Sequence, residues 1–315
     1  MRYFEEPVLY SVSENYFKIP ICKDIGLYDI CVTSISDPIT RFNLSDSAIR
    51  DELKRFSFKY RLMATAGTLY LDRIKHHHNF SLKITDLKTN FWDLYNTQSK
   101  NKEPKKFFKQ IIDQAININD GFCFYCCVKD QEQVDHFLPE GQELSEMDDG
   151  FFPQLSVMSY NLVPSCGVCN RKKSSKVGNS VPDTFLHPYF NKFLDESFLS
   201  CSVSFISGDI SFSYSAFSQD KWEYHQKIRF QKHIDFFDIL NRYAIKADTA
   251  IKKYEFDHWL SYRTGGRAVL SSSLYRKKKS ISKHLGLNSW EALMHRALYK
   301  NLNEYVDYLQ AKYSC

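Results

Sequence analysis

Four cysteines in two Cys-x-x-Cys pairs, Cys123/Cys126 and Cys166/Cys169, carry the strongest chemical signal in this chain. Each such turn brings two sulfurs toward one point, and two turns complete a tetrahedral set for Zn2+. Zinc suits four thiolates because it is borderline soft and imposes no d-electron geometry. A closed set of four leaves no position for water or substrate, so zinc here is structural. Two disulfides, or buried thiols packed as small hydrophobes, are the competing reading. Cys127 is an alternative to Cys126 as ligand, and Cys126 is favoured because it keeps the two-residue spacing.

Between and beside the pairs lie Asp135-His136, Asn161 and Asn170. Phosphodiester hydrolysis needs a water made nucleophilic, a cation against the phosphate and a means of stabilising the leaving oxygen. An imidazole titrates near neutral pH, which makes His136 the candidate base. A carboxylate and an amide oxygen are hard donors suited to Mg2+ or Mn2+. Lys173 follows Asn170 by three residues, hence shares nearly the same helical face, where it could meet a phosphate or the leaving oxygen. Arg171 and Lys172 complete a basic cluster for nucleic acid, with a solvated helix end as the equal alternative.

Cys-x-x-Cys, Asp-His-x-x-Pro, Asn-Leu-x-Pro-x-Cys-x-x-Cys-Asn-x-x-Lys resembles the HNH endonucleases, whose core is a ββα-metal fold. The resemblance covers roughly 50 to 70 residues and is specific within them. It implies an H-N-N variant with His136, Asn161 and Asn170 at the signature positions. It further implies that Asp135 and Asn170 hold the catalytic Mg2+ or Mn2+, and that Asn161 hydrogen-bonds the loop backbone and keeps His136 aimed. The expected activity is endonucleolytic hydrolysis of nucleic acid, double-stranded DNA before RNA. Cores of this kind with large helical flanks resemble bacterial restriction, toxin or anti-phage effectors. Two other readings compete: a zinc-ribbon module that grips nucleic acid without cutting, and a subunit that docks a regulatory partner such as an ATPase.

The elements that must position these residues follow from local rules. Gln133-Val134 predicts a short strand, and Pro139 stops its pairing soon after Asp135-His136. That early end matters because adjacent strand residues face opposite ways. Tyr160 to Pro164 is extended, since the residue before Pro164 is pushed out of the helical region. A helix then starts near the second cysteine pair and runs through Lys173.

The expected architecture is α+β, in four regions: a mostly helical 1–104, a nuclease module with zinc over 105–190, a β-hairpin over 191–218, and a helical 219–315. Apolar residues at Ile49, Leu53, Phe56, Tyr60 and Met63 recur at helical spacing, with Ser45, Asp46 or Ser47 as cap. Gly67 kinks this helix, and a further run continues through Leu69, Leu71 and Ile74. Tyr28 to Ser34 reads as a strand. Helices are expected over 86–95 and 105–118, with a polar linker at 98–104 between them. The neighbours in His76-His77-His78 point about 100° apart on a helix and read as a solvated end. The acidic insertion 140–150 reads as a solvated loop, and His187 as a packed histidine.

Residues 199–217 alternate apolar and serine about Ser207-Gly208-Asp209, which signals a hairpin. A long helical run starts near Asp220 and reaches Tyr243 or beyond. Another spans Ala247 to Tyr262 and is broken at Thr264-Gly265-Gly266. Asn288 with Glu291 forms a capping-box spacing before Leu293, Leu298 and Leu302. Arg276-Lys277-Lys278-Lys279 is the densest basic run, read equally as a grip on nucleic acid or as a solvated face.

Composition bounds the rest. The 315 residues include 43% hydrophobic and 16% aromatic side chains, enough for a substantial core. The net charge of +5 suits a nucleic-acid partner without demanding one. No apolar run is long enough for a membrane span, and the first residues lack the apolar core of a signal peptide. Of nine cysteines, five stand outside the zinc set, and unpaired thiols beside zinc point to a reducing cytoplasm.

Overall fold

A computed structural model describes residues 45–70, 121–128, 133–139, 158–191, 196–206 and 208–314, together with 11–12, 17–18, 28, 32, 38, 41–42 and 155. The expectations for His76-His77-His78, for 86–95, 98–104 and 105–118, and for the acidic 140–150 lie outside the described residues. The chain divides into two compact units, one built mainly from Phe4–Tyr125 and Lys129–Asn191, the other mainly from Lys192–Cys315. Helices and small antiparallel sheets mix in one chain, an α+β architecture.

In the first unit, β1 (Ser11–Val12) pairs with β2 (Phe17–Lys18). Tyr28 and Val32, expected on a strand, are helical, and both are buried. A short apolar run does not distinguish helix from strand by itself. Helix α1 (Ser47–Ala66) starts where Asp46 accepts a hydrogen bond from the Ala48 N–H at 2.8 Å. Ile49, Leu53, Phe56, Tyr60 and Met63 form its buried face. Each such side chain contributes about 1.5–3 kcal/mol on burial. Gly67 ends the helix rather than kinking it. Its φ of 69° is left-handed, and its N–H caps the Ala64 and Met63 carbonyls.

Strands β3 (Gln133–His136) and β4 (Leu162–Ser165) pair antiparallel, with Asp135 opposite Val163 and His136 opposite Leu162. Pro164 lies within β4, which is tolerated in a two-stranded sheet, and its carbonyl accepts from the Phe124 N–H at 3.0 Å. Helix α2 (Gly167–Lys173) follows at once, with Cys166 at its N-cap.

The second unit opens with the hairpin β5 (Leu199–Ile206) and β6 (Asp209–Ala216), turned at Gly208, whose φ is 83°. Its outer face carries three cross-strand serine pairs: Ser200/Ser215, Ser202/Ser213 and Ser204/Ser211, with hydroxyls 2.6–2.9 Å apart. The other face packs into the unit, where the Phe212 N–H donates to Asp248 and the Tyr214 hydroxyl donates to the Trp290 carbonyl. The hairpin thus belongs with the helices that follow it.

Those helices are α3 (Tyr224–Phe236), α4 (Ile239–Leu285), α5 (Trp290–Lys300) and α6 (Leu302–Tyr313). The run expected from Asp220 past Tyr243 is divided by Phe237 and Asp238, the latter at a φ of 52°. The break expected at Thr264-Gly265-Gly266 is a bend in α4, where Gly266 takes a φ of 67° that a side chain resists. Ser289 caps α5, its hydroxyl accepting from the Ala292 N–H, in the place expected of Asn288. Asn288 instead uses its amide oxygen on the Phe198 and Leu199 N–H groups and tethers the start of the hairpin. A tertiary partner outcompeted a local cap.

Among the described residues, no helix is long and apolar enough to cross a membrane.

Candidate functional site

The sulfurs of Cys123, Cys126, Cys166 and Cys169 lie within 4.8 Å of one another, and all four residues are buried. Tetrahedral zinc with sulfur at about 2.3 Å sets its sulfurs about 3.8 Å apart, within that limit, so the cluster can hold a metal such as zinc. Cys166 also receives the Cys169 N–H at 3.5 Å, the geometry of a Cys-x-x-Cys turn opening a helix. Cys127 stays out of the cluster, and its φ of 54° is left-handed.

The β3–β4 pair and α2 then bring polar side chains together by two periodicities. Gln133 and Asp135, two apart, share one face of β3. Asn170 and Lys173, three apart, share one face of α2. The faces meet: Asn170 Nδ2 donates to Gln133 Oε1 at 2.8 Å, and Lys173 Nζ stands 3.2 Å from Asp135 Oδ2. Tyr125 completes the group, its hydroxyl donating to the same Oδ2 at 2.6 Å.

Lys173 is wholly buried. The ammonium expected at a phosphate is turned inward, onto Asp135 and onto the His136 carbonyl at 2.8 Å. Burial pushes Asp135 above the usual carboxylate range despite the nearby ammonium. Burial likewise pulls Lys173 below the usual lysine range despite the carboxylate. The same desolvation, reinforced by the Asp135 charge, lifts the Tyr125 phenol well above its ordinary value. Arg171 and Lys172 are exposed at the end of the same helix.

His136 ends β3 and is 9% exposed. The loop after it is held by Asn161, which is buried just before β4. Asn161 Oδ1 accepts from the Leu138 N–H at 2.7 Å, and its Nδ2 donates to the Leu138 carbonyl at 2.9 Å and the Leu155 carbonyl at 3.3 Å. One amide therefore clamps both backbone groups of Leu138, two residues beyond His136.

Asn161 is itself braced from far along the chain. Tyr60, on α1, donates its hydroxyl to Asn161 Oδ1 at 3.2 Å and lies 3.1 Å from His187 Nε2. The Tyr189 N–H donates to His187 Nδ1 at 3.3 Å. That assigns the ring proton to Nε2, which donates to Tyr60. His187 is buried, as a packed histidine should be, with the Phe137 ring 4.3 Å from its own. Burial raises the Tyr60 phenol, so it stays protonated as a donor.

Sequence reasoning missed Tyr60, Tyr125 and Gln133. Gln133 had a signal, its i, i+2 relation to Asp135. Tyr60 had none beyond its place on a buried helical face.

No family model matches this chain. No solved structure matches it significantly. Among curated proteins it is similar to Protein ea31 of Escherichia phage lambda, 29% identical over 198 residues, which cover 60% of this chain and 62% of that protein.

Proposed function

We propose that the module around β3, β4 and α2 is a metal-dependent nuclease of the HNH type, which hydrolyses phosphodiester bonds of nucleic acid, double-stranded DNA before RNA. The observation that carries the reading is the double clamp of Asn161 on Leu138, set directly after Asp135-His136 and beside a helix rooted in the cysteine cluster. A loop held at both its N–H and its carbonyl fixes where the imidazole preceding it can reach. Zinc at the four cysteines anchors the start of α2, hence the register of Asn170 against β3.

In this reading His136 takes the proton from the attacking water. Asp135 and Asn170 offer hard oxygens of the kind Mg2+ or Mn2+ takes, and such an ion supplies charge neutralisation at the phosphate. The donor set fits in type, since Asn170 engages Gln133 through its nitrogen and keeps its oxygen for another partner. Arg171 and Lys172 lie where a phosphate backbone could be steered. A place among anti-phage or restriction effectors, with an ATPase partner, belongs to this proposal by analogy only.

The Lys173 ammonium on Asp135 favours a second reading, in which the module grips nucleic acid without cutting. Incubation of the purified protein with plasmid and with RNA, with Mg2+, Mn2+ or EDTA, separates the two. Nicking or linearisation that requires the metal and vanishes in His136→Ala supports the nuclease. Binding without cleavage, indifferent to His136→Ala, supports the second reading.

A further inference from the structure

Between Asp257 and Glu291 the chain carries seven lysines and arginines and no acidic residue. Most of this interval is the part of α4 beyond the bend at Gly265-Gly266. Its two faces differ sharply. Leu270 and Leu274, four apart, are fully buried in the second unit. On the opposite side, Ser272, Arg276, Lys279 and Lys283 are all exposed and recur at helical spacing. The three cations form one stripe, about 10 Å long at ~1.5 Å per residue, with serine hydroxyls beside it.

The rest of the basic run is occupied otherwise. Lys277 lies over the Tyr254 ring at 3.9 Å, and that tyrosine donates to Glu291. Lys278 lies over the Tyr275 ring at 4.8 Å. Tyr275 in turn meets Tyr299 of α5, with ring centres 5.8 Å apart. Both phenols keep substantial exposure, 44% and 38%. Cations with adjacent exposed aromatic faces are what a nucleic-acid strand requires: charge for phosphates, π surface for bases. A bilayer requires an exposed apolar helix face instead, and the apolar face here is already buried.

We propose that the exposed stripe Arg276–Lys279–Lys283, with the Tyr275/Tyr299 pair, is a nucleic-acid-binding surface of the second unit. It takes the phosphate backbone along the stripe and stacks unpaired bases on the two rings. This surface stands whether or not the module around His136 cuts.

Fluorescence anisotropy with labelled single-stranded and duplex oligonucleotides, in buffer without added divalent metal, tests it on the full chain. The triple variant Arg276→Gln/Lys279→Gln/Lys283→Gln should bind roughly tenfold or more weakly near 0.1 M salt, with the log–log salt slope reduced by about two to three. Tyr275→Ala/Tyr299→Ala should weaken single-strand binding more than duplex binding. Lys252→Gln/Lys253→Gln, exposed on α4 before the bend, removes charge without touching the stripe and should change little. Thermal melting confirms that each variant folds. Unchanged affinity in the triple variant overturns the proposal. So does an equal loss in the Lys252/Lys253 variant, or binding to phosphatidylserine vesicles with none to oligonucleotides.

Discussion

Lys173 Nζ stands 3.2 Å from Asp135 Oδ2 with both side chains removed from solvent, an ion pair inside the first unit. Desolvation opposes the charge of each partner more than their attraction restores, as the upward direction for Asp135 and the downward one for Lys173 both indicate. Such a pair contributes little net stability but is destructive to break. Lys173→Met should destabilise the first unit by about 3–5 kcal/mol, because a carboxylate stays buried without its cation. Asp135→Asn in the same chain should recover most of that loss. A double-mutant cycle by chemical denaturation measures it, and additive single effects would contradict a coupled pair.

Asn161→Ala leaves the Leu138 N–H and carbonyl without their clamp. Each buried group left unpaired costs about 1–3 kcal/mol, so melting should fall accordingly. Tyr60→Phe removes the hydroxyl that donates to Asn161 Oδ1 and accepts from His187 Nε2, and should cost about 1–3 kcal/mol. If the nuclease reading holds, both variants should lose cleavage in the same order. Equal melting for wild type and Asn161→Ala would mean that the clamp does not form.

Metal content should follow the cluster rather than the count of thiols. Cys126→Ser and Cys166→Ser should each lose the bound metal together with folding of the first unit. Cys127→Ser should keep it. Elemental analysis beside circular dichroism reads both, and metal retained in Cys166→Ser would reject the four-sulfur site.

Acid should act on the second unit through two packed histidines. Burial, with Lys277 nearby, holds His258 down to about 4, against the weaker opposing pull of Asp257 and Glu255. Burial, then the His258 and Lys277 charges, holds His295 down to about 3. Neither His295 nitrogen has a hydrogen-bond partner among the described residues. Both folded values lie below the unfolded one, so their contribution is present above about pH 6.5 and is lost as pH falls toward 4 and then 3. His295→Phe should flatten that loss and leave stability at neutral pH unchanged or higher, since no buried polar atom is then unmet. Tryptophan fluorescence across an acid titration reports it through Trp259 and Trp290. An acid transition unaltered in His295→Phe would contradict this account.

The sequence alone determined whatever depends on neighbours along the chain. Two Cys-x-x-Cys spacings announced the cluster, the apolar period from Ile49 to Met63 gave the buried face of α1, and serine alternation gave the hairpin. Strand, strand and helix from Gln133 to Lys173 were legible for the same reason. Tertiary structure alone decided which partner each polar side chain takes. Tyr60 reaches Asn161 across 101 positions, Asn288 reaches Phe198 across 90, and Lys173 turns inward to Asp135 across a strand-to-helix interface. Periodicity states which face a residue occupies. The competition among water, a local cap and a distant carboxylate is settled by desolvation and packing, which exist only once the chain has closed on itself.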